Sequence, residues 1–196
     1  RLAREFLDAI NQQRQIQEGT YDWPPGIQWA GTTPYLFPLK NIVLWGLGPA
    51  LGMAGVLGLT VGSWRLWRRR DWVLFLPVVW VLLNFAYFGG LVLKTMRYYQ
   101  PMYPMLALLA AWLLFKAWDG WGRSGRGRAL RVALFAVVIG GTALWALAFT
   151  GIYSRPVSRL AASEWIHNTI PDGTAVATEH WDDTLPLALP GFGGAG

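Results

Sequence analysis

Cysteine is absent from this 196-residue chain, which excludes disulfide bonds and thiolate metal sites. Charged residues are scarce as well: they make up 14% of the sequence, whereas soluble domains carry about a quarter. The sequence also has no phosphate-binding loop, no dinucleotide-binding fingerprint and no nucleophile elbow. With 54% hydrophobic residues, this composition indicates a membrane protein rather than a soluble nucleotide-binding enzyme or hydrolase.

Four apolar stretches are long enough to cross a bilayer, which takes about 20 helical residues. None of the charged residues falls inside these stretches, as expected because a charge in the hydrocarbon region is costly. The sequence therefore predicts an all-α membrane protein with about four transmembrane helices. The predicted spans are residues 42–64, 72–93, 98–115 and 132–150.

Small residues recur in the first of these spans. Gly48 and Gly52 are four positions apart, and so are Gly58 and Gly62. This spacing is typical of helices that approach a neighbouring helix closely in a membrane. We interpret these glycines as a packing face.

The charges between the spans predict the orientation of the chain. Residues 65–71 carry a net charge of +3, and residues 116–131 carry +4. By the positive-inside rule both loops are cytoplasmic, and both termini are extracytoplasmic, in a multi-pass plasma-membrane protein. Short loops between spans use arginine to set topology, so nucleic acid is not expected as a partner.

The flanking regions are expected outside the membrane. Residues 1–41 are predicted to form an amphipathic helix, which ends near Gly19, and then an interfacial loop. Residues 151–196 are predicted to begin a small outward α/β domain, with a helix over 157–169 and a short strand at 175–178. We interpret the chain as a piece of a longer protein.

The turn KTMRYYQP, residues 94–101, is the first candidate site. Lys94 and Arg97 lie three positions apart with no acidic residue near them in the sequence. One interpretation is that they anchor the helices at the membrane surface, with Tyr98 as an interfacial aromatic residue. The other is a phosphate site, because arginine offers a bidentate fork and lysine a point charge. Residue types alone leave both interpretations open.

A second candidate is the segment EHWDD. Its side chains offer ligands for a divalent cation or hydrogen bonds to sugar hydroxyls, and a competing, more ordinary explanation is that the Asp pair caps a turn. The residues concerned are Glu179, His180, Asp182 and Asp183. A divalent cation at this segment is the only cofactor that the residue types suggest, and no metal site is assigned.

A third candidate is the outward loop over residues 21–38. Asp22, Gln28, Trp29 and Tyr35 there combine aromatic faces with hydrogen-bonding groups, which together suit a carbohydrate. Aromatic residues that anchor a loop at the membrane interface explain the same residues with fewer assumptions. Neither interpretation identifies a catalytic residue or an oligomeric state.

The segment KTMRYYQPMYPMLALLAAW resembles the Arg-Tyr-x-x-Pro-x-x-Pro hairpin of GT-C membrane glycosyltransferases, such as protein O-mannosyltransferases and polyprenyl-phosphate-sugar transferases. Two other segments are similar to the very hydrophobic YYY membrane proteins that are grouped with them: GIQWAGTTPYLFPLKNIVLWGLGPALG and EHWDDTLPL. The likeness extends over about residues 1–190. It implies a GT-C-like bundle that transfers sugar from a polyprenyl-phosphate donor at the outer face. Arg97, with Lys94 and Tyr98, would then contact the lipid phosphate.

The resemblance also implies a catalytic carboxylate in a first outward loop, upstream of this fragment. The catalytic residue is therefore unassigned. An alternative function is a non-catalytic transporter or scaffold subunit of a cell-surface polysaccharide or export system. The lack of charges within the spans argues against ion-coupled transport.

Overall fold

Helices make up the regular structure of the protein, for which a computed structural model describes residues 4–21, 24–120, 125–171, 173–177, 184–187 and 189. The α-helices are α1 (Arg4–Glu18), α2 (Leu36–Asn41), α3 (Pro49–Arg69), α4 (Phe75–Gly89), α5 (Tyr103–Gly120), α6 (Gly125–Thr150) and α7 (Ser158–Thr169). A π-helical turn (Ile42–Gly46) and 3₁₀ segments (Pro24–Trp29, Trp72–Leu74, Met96–Met102 and Gly151–Ser154) lie between them. The chain divides into two compact units, Arg1–Ala146 and Leu147–Gly196.

Three helical stretches are long and apolar enough to cross a membrane: Trp72–Gly89, Met96–Gly120 and Arg126–Thr169. They contain most of the second predicted span and all of the third and fourth. The all-helical class and these three apolar helices are therefore confirmed. In the last stretch only 6% of the 18 most apolar consecutive residues are buried, so this apolar surface is largely exposed.

The first predicted span, residues 42–64, is not one continuous helix. The chain leaves helical geometry at Leu47 and Gly48, and α3 begins at Pro49. Gly48 has a φ of +79°, which favours glycine, and Pro49 has no N–H with which to continue the preceding helix. Helix α3 is not among the three most apolar helices, because glycines, a proline and arginines lower its hydropathy.

The glycines of α3 bring its backbone against that of α5. A Cβ atom placed on Gly55 would lie 3.2 Å from the Leu106 carbonyl oxygen, and Gly58 lies directly against the Leu109 carbonyl oxygen. Gly58 and Gly62 are therefore on the contact face, as their spacing predicts. The buried core around this contact includes Val78, Tyr99, Met102, Leu106 and Leu109.

Helix α1 forms over the predicted N-terminal segment and ends as predicted at Gly19. Gly19 has a φ of +75°, its N–H donates to the Ile16 carbonyl at 3.2 Å, and the Thr20 N–H donates to the Gln15 carbonyl at 2.9 Å. This pair of hydrogen bonds is the Schellman motif, which satisfies the last carbonyls of a helix. Several apolar side chains of α1 are exposed: Phe6, Leu7 and Ile10.

In the second unit, α7 lies within the predicted helix over 157–169. Ser163 is fully buried, its hydroxyl donates to the Arg159 carbonyl at 2.8 Å, and it accepts the Leu187 N–H at 2.9 Å. The strand expected at 175–178 does not form over 175–177, its described part, since no described segment pairs with it. The expected α/β character of this unit is thus not found among the described residues.

Candidate functional site

The candidate site is the connection between α4 and α5, which contains residues 94–101. After Gly90 the chain runs without regular structure to Thr95, and a 3₁₀ segment, Met96–Met102, then leads into α5. The Trp80 indole N–H of α4 donates to the Pro101 carbonyl at 2.9 Å. This hydrogen bond fixes the 3₁₀ segment to the helix that precedes it.

Arg97 projects from this segment and is exposed. Its guanidinium carbon lies 5.4 Å from the centroid of the Tyr98 ring, within the range of a cation–π contact. The Tyr98 ring in turn stacks on Phe88, with centroids 5.6 Å apart and planes inclined by 11°. Since Phe88 belongs to α4, the stack holds the arginine head group over the end of that helix. No carboxylate in the described part of the chain pairs with Arg97.

Lys94 lies on the inner side of the same connection and is only 5% exposed. Its ammonium donates to the Val92 carbonyl at 3.4 Å, a long and therefore weak hydrogen bond. No acidic side chain pairs with it among the residues that the structure places. Burial lowers the pKa of Lys94 below its usual value, because the charged ammonium is deprived of water.

Two tyrosines cap the end of α4 below this stack. The Tyr99 hydroxyl, which is fully buried, donates to the Phe88 carbonyl at 3.0 Å. The Tyr35 hydroxyl donates to the Ala86 carbonyl at 3.3 Å, and the Tyr35 N–H donates to the Gly89 carbonyl at 2.9 Å. These bonds are made to carbonyls in the last turn of α4, of which the Phe88 carbonyl also accepts the Leu91 N–H at 3.3 Å, and they fix the end of the helix where the site begins.

The sequence did not single out Tyr35 or Tyr99 for this role. Tyr35 is 51 positions from Ala86, and no local pattern reports such a distant contact. Its φ of +60° is unusual for a tyrosine and cannot be read from the sequence. The adjacent pair Tyr98–Tyr99 was the available signal, because neighbours in a helical turn point in different directions, one inward and one outward.

The end of α1 contacts the connection at Val92. The Val92 N–H donates to the Gln17 carbonyl at 3.0 Å, and Gly19 lies against the Val92 side chain. A side chain on Gly19 would collide with Val92, since a Cβ there would lie 2.9 Å from a methyl carbon. The amphipathic helix therefore packs on the loop that carries Lys94.

The remaining sequence candidates are not brought to this turn by the described contacts. Gln28 and Trp29 lie in the 3₁₀ segment Pro24–Trp29, where the Trp29 carbonyl accepts the Thr32 hydroxyl at 2.6 Å. The other candidates lie outside the described residues: Asp22, Glu179, His180, Asp182 and Asp183. Within the described ranges, no group of three or more His, Cys, Asp or Glu side chains could hold a metal ion.

No protein-family model, curated protein or solved structure matches this chain. The class of the protein is therefore taken from its own structure. Over the described residues it is an all-helical protein with three helices apolar enough to cross a membrane. Its distinguishing feature lies at the connection between two of those helices. There the exposed Arg97 contacts the ring of Tyr98, which stacks on Phe88, and Lys94 is buried in the same turn.

Proposed function

We propose that this chain is the C-terminal part of an integral membrane glycosyltransferase that binds a polyprenyl-phosphate-linked sugar at the connection between α4 and α5. The observation that carries the proposal is the exposed Arg97, held on the Tyr98 ring and free of carboxylate partners in the described structure. An arginine at a helix connection at the membrane surface suits a phosphate that lies at headgroup depth. The family resemblance supplies the identity of that phosphate.

In the proposed reaction, an acceptor oxygen attacks the anomeric carbon of the sugar. The bond between that carbon and the lipid-phosphate oxygen breaks, with inversion at the carbon, and the acceptor proton passes to a general base. The resemblance assigns the base to a carboxylate of a first outward loop. Arg97 stabilises the negative charge that develops on the departing phosphate, and Lys94 adds positive potential from the buried side of the turn.

The proposal includes four membrane crossings, with α3 as the first. The uncharged part of α3, residues 49–64, extends about 24 Å at 1.5 Å per residue, and the uncharged residues 42–48 before it supply the rest of the roughly 30 Å hydrocarbon core. With α3 as a crossing, the arginine-rich loops 65–71 and 116–131 face the cytoplasm, while Arg97 and both termini face outward. The lipid-linked donor would then bind in the outer leaflet of the plasma membrane.

A non-catalytic transporter or scaffold subunit of a polysaccharide or export system is the second candidate. It is favoured by the stretch Arg126–Thr169, whose apolar window is only 6% buried. Such a surface suits docking to the helices of other membrane subunits. A scaffold role predicts that loss of Arg97 leaves assembly with those subunits, and polymer export, unchanged.

The transfer experiment uses the full-length protein in proteoliposomes, with polyprenyl-phosphate mannose and polyprenyl-phosphate arabinose as donors. We expect Arg97→Ala to abolish sugar transfer while expression and membrane insertion stay intact, and Arg97→Lys to retain part of the activity. The matched control is Lys40→Ala, which removes another exposed cation at the end of α2. Sugar transfer by Arg97→Ala at the wild-type rate would contradict the proposed role of this site.

A further inference from the structure

An open groove of about 460 Å³ runs between the end of α3 and the start of α4, away from the Arg97 site. Apolar side chains form its walls: Trp67 from α3, and Trp72, Phe75, Val79 and Leu82 from the α4 region. Trp67 is 79% exposed and Trp72 is 64% exposed. The groove is therefore an uncovered apolar surface with tryptophans at one end.

Arg70 lines the same end of the groove and is the cation best placed to meet a ligand there. The neighbouring arginines are already engaged: Arg65 pairs with Asp71 at 3.4 Å, Arg68 stacks on Trp67, and Arg69 stacks on Trp64. Arg70 is exposed and has no ion pair or ring contact within the described part of the chain. Of the arginines in this loop, Arg70 is thus the one whose positive charge lies at the groove without an ion pair or ring contact in the described structure.

The dimensions of the groove match half of a bilayer. From Trp72 to Leu82 the chain advances about 16 Å, at about 2.0 Å per residue in the 3₁₀ segment and 1.5 Å per residue in α4, which is about half of the roughly 30 Å hydrocarbon core. Tryptophans mark headgroup depth in membrane proteins, and here they lie at the end that carries Arg70. The groove therefore has the positive charge of Arg70 at headgroup depth. Its apolar part is about as long as one leaflet of the hydrocarbon core is thick.

We propose that this groove binds one anionic phospholipid, with its phosphate on Arg70 and an acyl chain along α4. This inference rests on the membrane location that is part of the proposed function, but not on glycosyl transfer. Charge complementarity selects the ligand, because basic pockets between membrane helices favour acidic headgroups. It is a second lipid site, formed by residues other than those around Arg97.

The test is native mass spectrometry of the full chain in mild detergent, titrated with phosphatidylglycerol and phosphatidylcholine of identical acyl chains. We expect the wild-type protein to bind phosphatidylglycerol more tightly. Arg70→Asn should lower that affinity about fivefold, the effect of about 1 kcal/mol per basic residue, and leave phosphatidylcholine binding unchanged. Asparagine is chosen because Arg70 has a φ of +52°, a conformation that asparagine tolerates.

Matched variants separate a built site from a diffuse effect of charge. Arg69→Gln removes a neighbouring arginine that neither lines the groove nor stacks on one of its walls, and it should leave phosphatidylglycerol affinity unchanged. Val79→Trp fills the groove and should weaken both lipids, whereas Leu83→Trp, outside the groove lining, should not. Equal losses in Arg69→Gln and Arg70→Asn, or none in Arg70→Asn, would overturn the proposal.

Two other outcomes would decide between the lipid-binding proposal and its alternatives. A dimer that dissociates in Val79→Trp and shows no lipid preference would overturn the proposal in favour of a second copy in the groove. Failure of sugar transfer by the wild-type protein, with the lipid preference intact, would contradict the proposed function and leave this lipid site standing. The two proposals are therefore distinguishable.

Discussion

Replacing Gly58 by alanine tests the packing of α3 against α5, the helix that follows the candidate site. The added Cβ would meet the backbone of α5: the Leu109 carbonyl oxygen first, then the Leu109 carbonyl carbon at 2.6 Å and the Ala110 nitrogen at 3.1 Å. Because all three contacts are backbone atoms, no side chain can rotate away. The two helices would have to separate before the methyl group fits.

The expected cost follows from two opposing effects. Overpacking a well-packed core costs about 1–3 kcal/mol, and contacts with backbone place Gly58→Ala at about 3 kcal/mol. Alanine recovers about 1 kcal/mol because it favours the helix more than glycine does. The net loss of about 2 kcal/mol corresponds to a melting temperature lower by roughly 4–8 °C for a chain of this size.

The assay is thermal unfolding of the detergent-solubilised protein, followed by the fluorescence of its 13 tryptophans. Two glycines provide controls. A Cβ on Gly62 would meet side-chain methyl groups at 3.4 Å, an ordinary contact, and Gly140 of α6 has nothing within 4 Å. Gly62→Ala and Gly140→Ala should therefore keep or raise the melting temperature. An unchanged melting temperature for Gly58→Ala would refute the close α3–α5 packing.

Three further predictions concern the connection between α4 and α5 and its orientation. Because burial lowers the Lys94 pKa from 10.5, its charge opposes folding at neutral pH, and stability should rise with pH as that proton is lost. Lys94→Met should then raise the melting temperature at pH 7, with a smaller gain near pH 10; a gain independent of pH would contradict this. Tyr99→Phe removes the hydroxyl that donates to the Phe88 carbonyl at 3.0 Å and should cost about 1 kcal/mol in denaturant unfolding; no loss would mean that the capping bond is unimportant. Since the chain has no cysteine, Gln100→Cys should react with an impermeant maleimide from outside intact cells and Arg68→Cys should not; the reverse pattern would invert the proposed topology.

The apolar helices could be predicted from the sequence because their length and freedom from charge are local properties. The break at Gly48 could not, even though Gly-Pro is a helix-breaking pair. Proline is tolerated within membrane helices as a kink, so the outcome depends on neighbours such as the Trp145 side chain, which packs against Gly48. That contact joins positions almost a hundred residues apart.

For the candidate site, too, the local sequence predicts the residue types but not the contacts with residues far away in the chain. The sequence identifies Arg97 and Lys94 as cations without acidic neighbours, and it cannot say which of them faces water. In the structure Lys94 is buried and Arg97 is exposed, and the end of α1 contacts the same loop through the hydrogen bond from the Val92 N–H to the Gln17 carbonyl. A contact between residue 17 and residue 92 leaves no trace in the local pattern.

The most direct test of the central claim is equilibrium binding of a polyprenyl monophosphate and the matching neutral polyprenol to the purified full-length protein. Hydrogen bonds to a charged partner contribute about 1.5–3 kcal/mol, so Arg97→Ala should weaken binding of the phosphate by about 10- to 150-fold. The polyprenol, which lacks the phosphate, should bind the wild-type and variant proteins equally. Equal affinity of both proteins for the phosphate would contradict the assignment of Arg97 as its ligand.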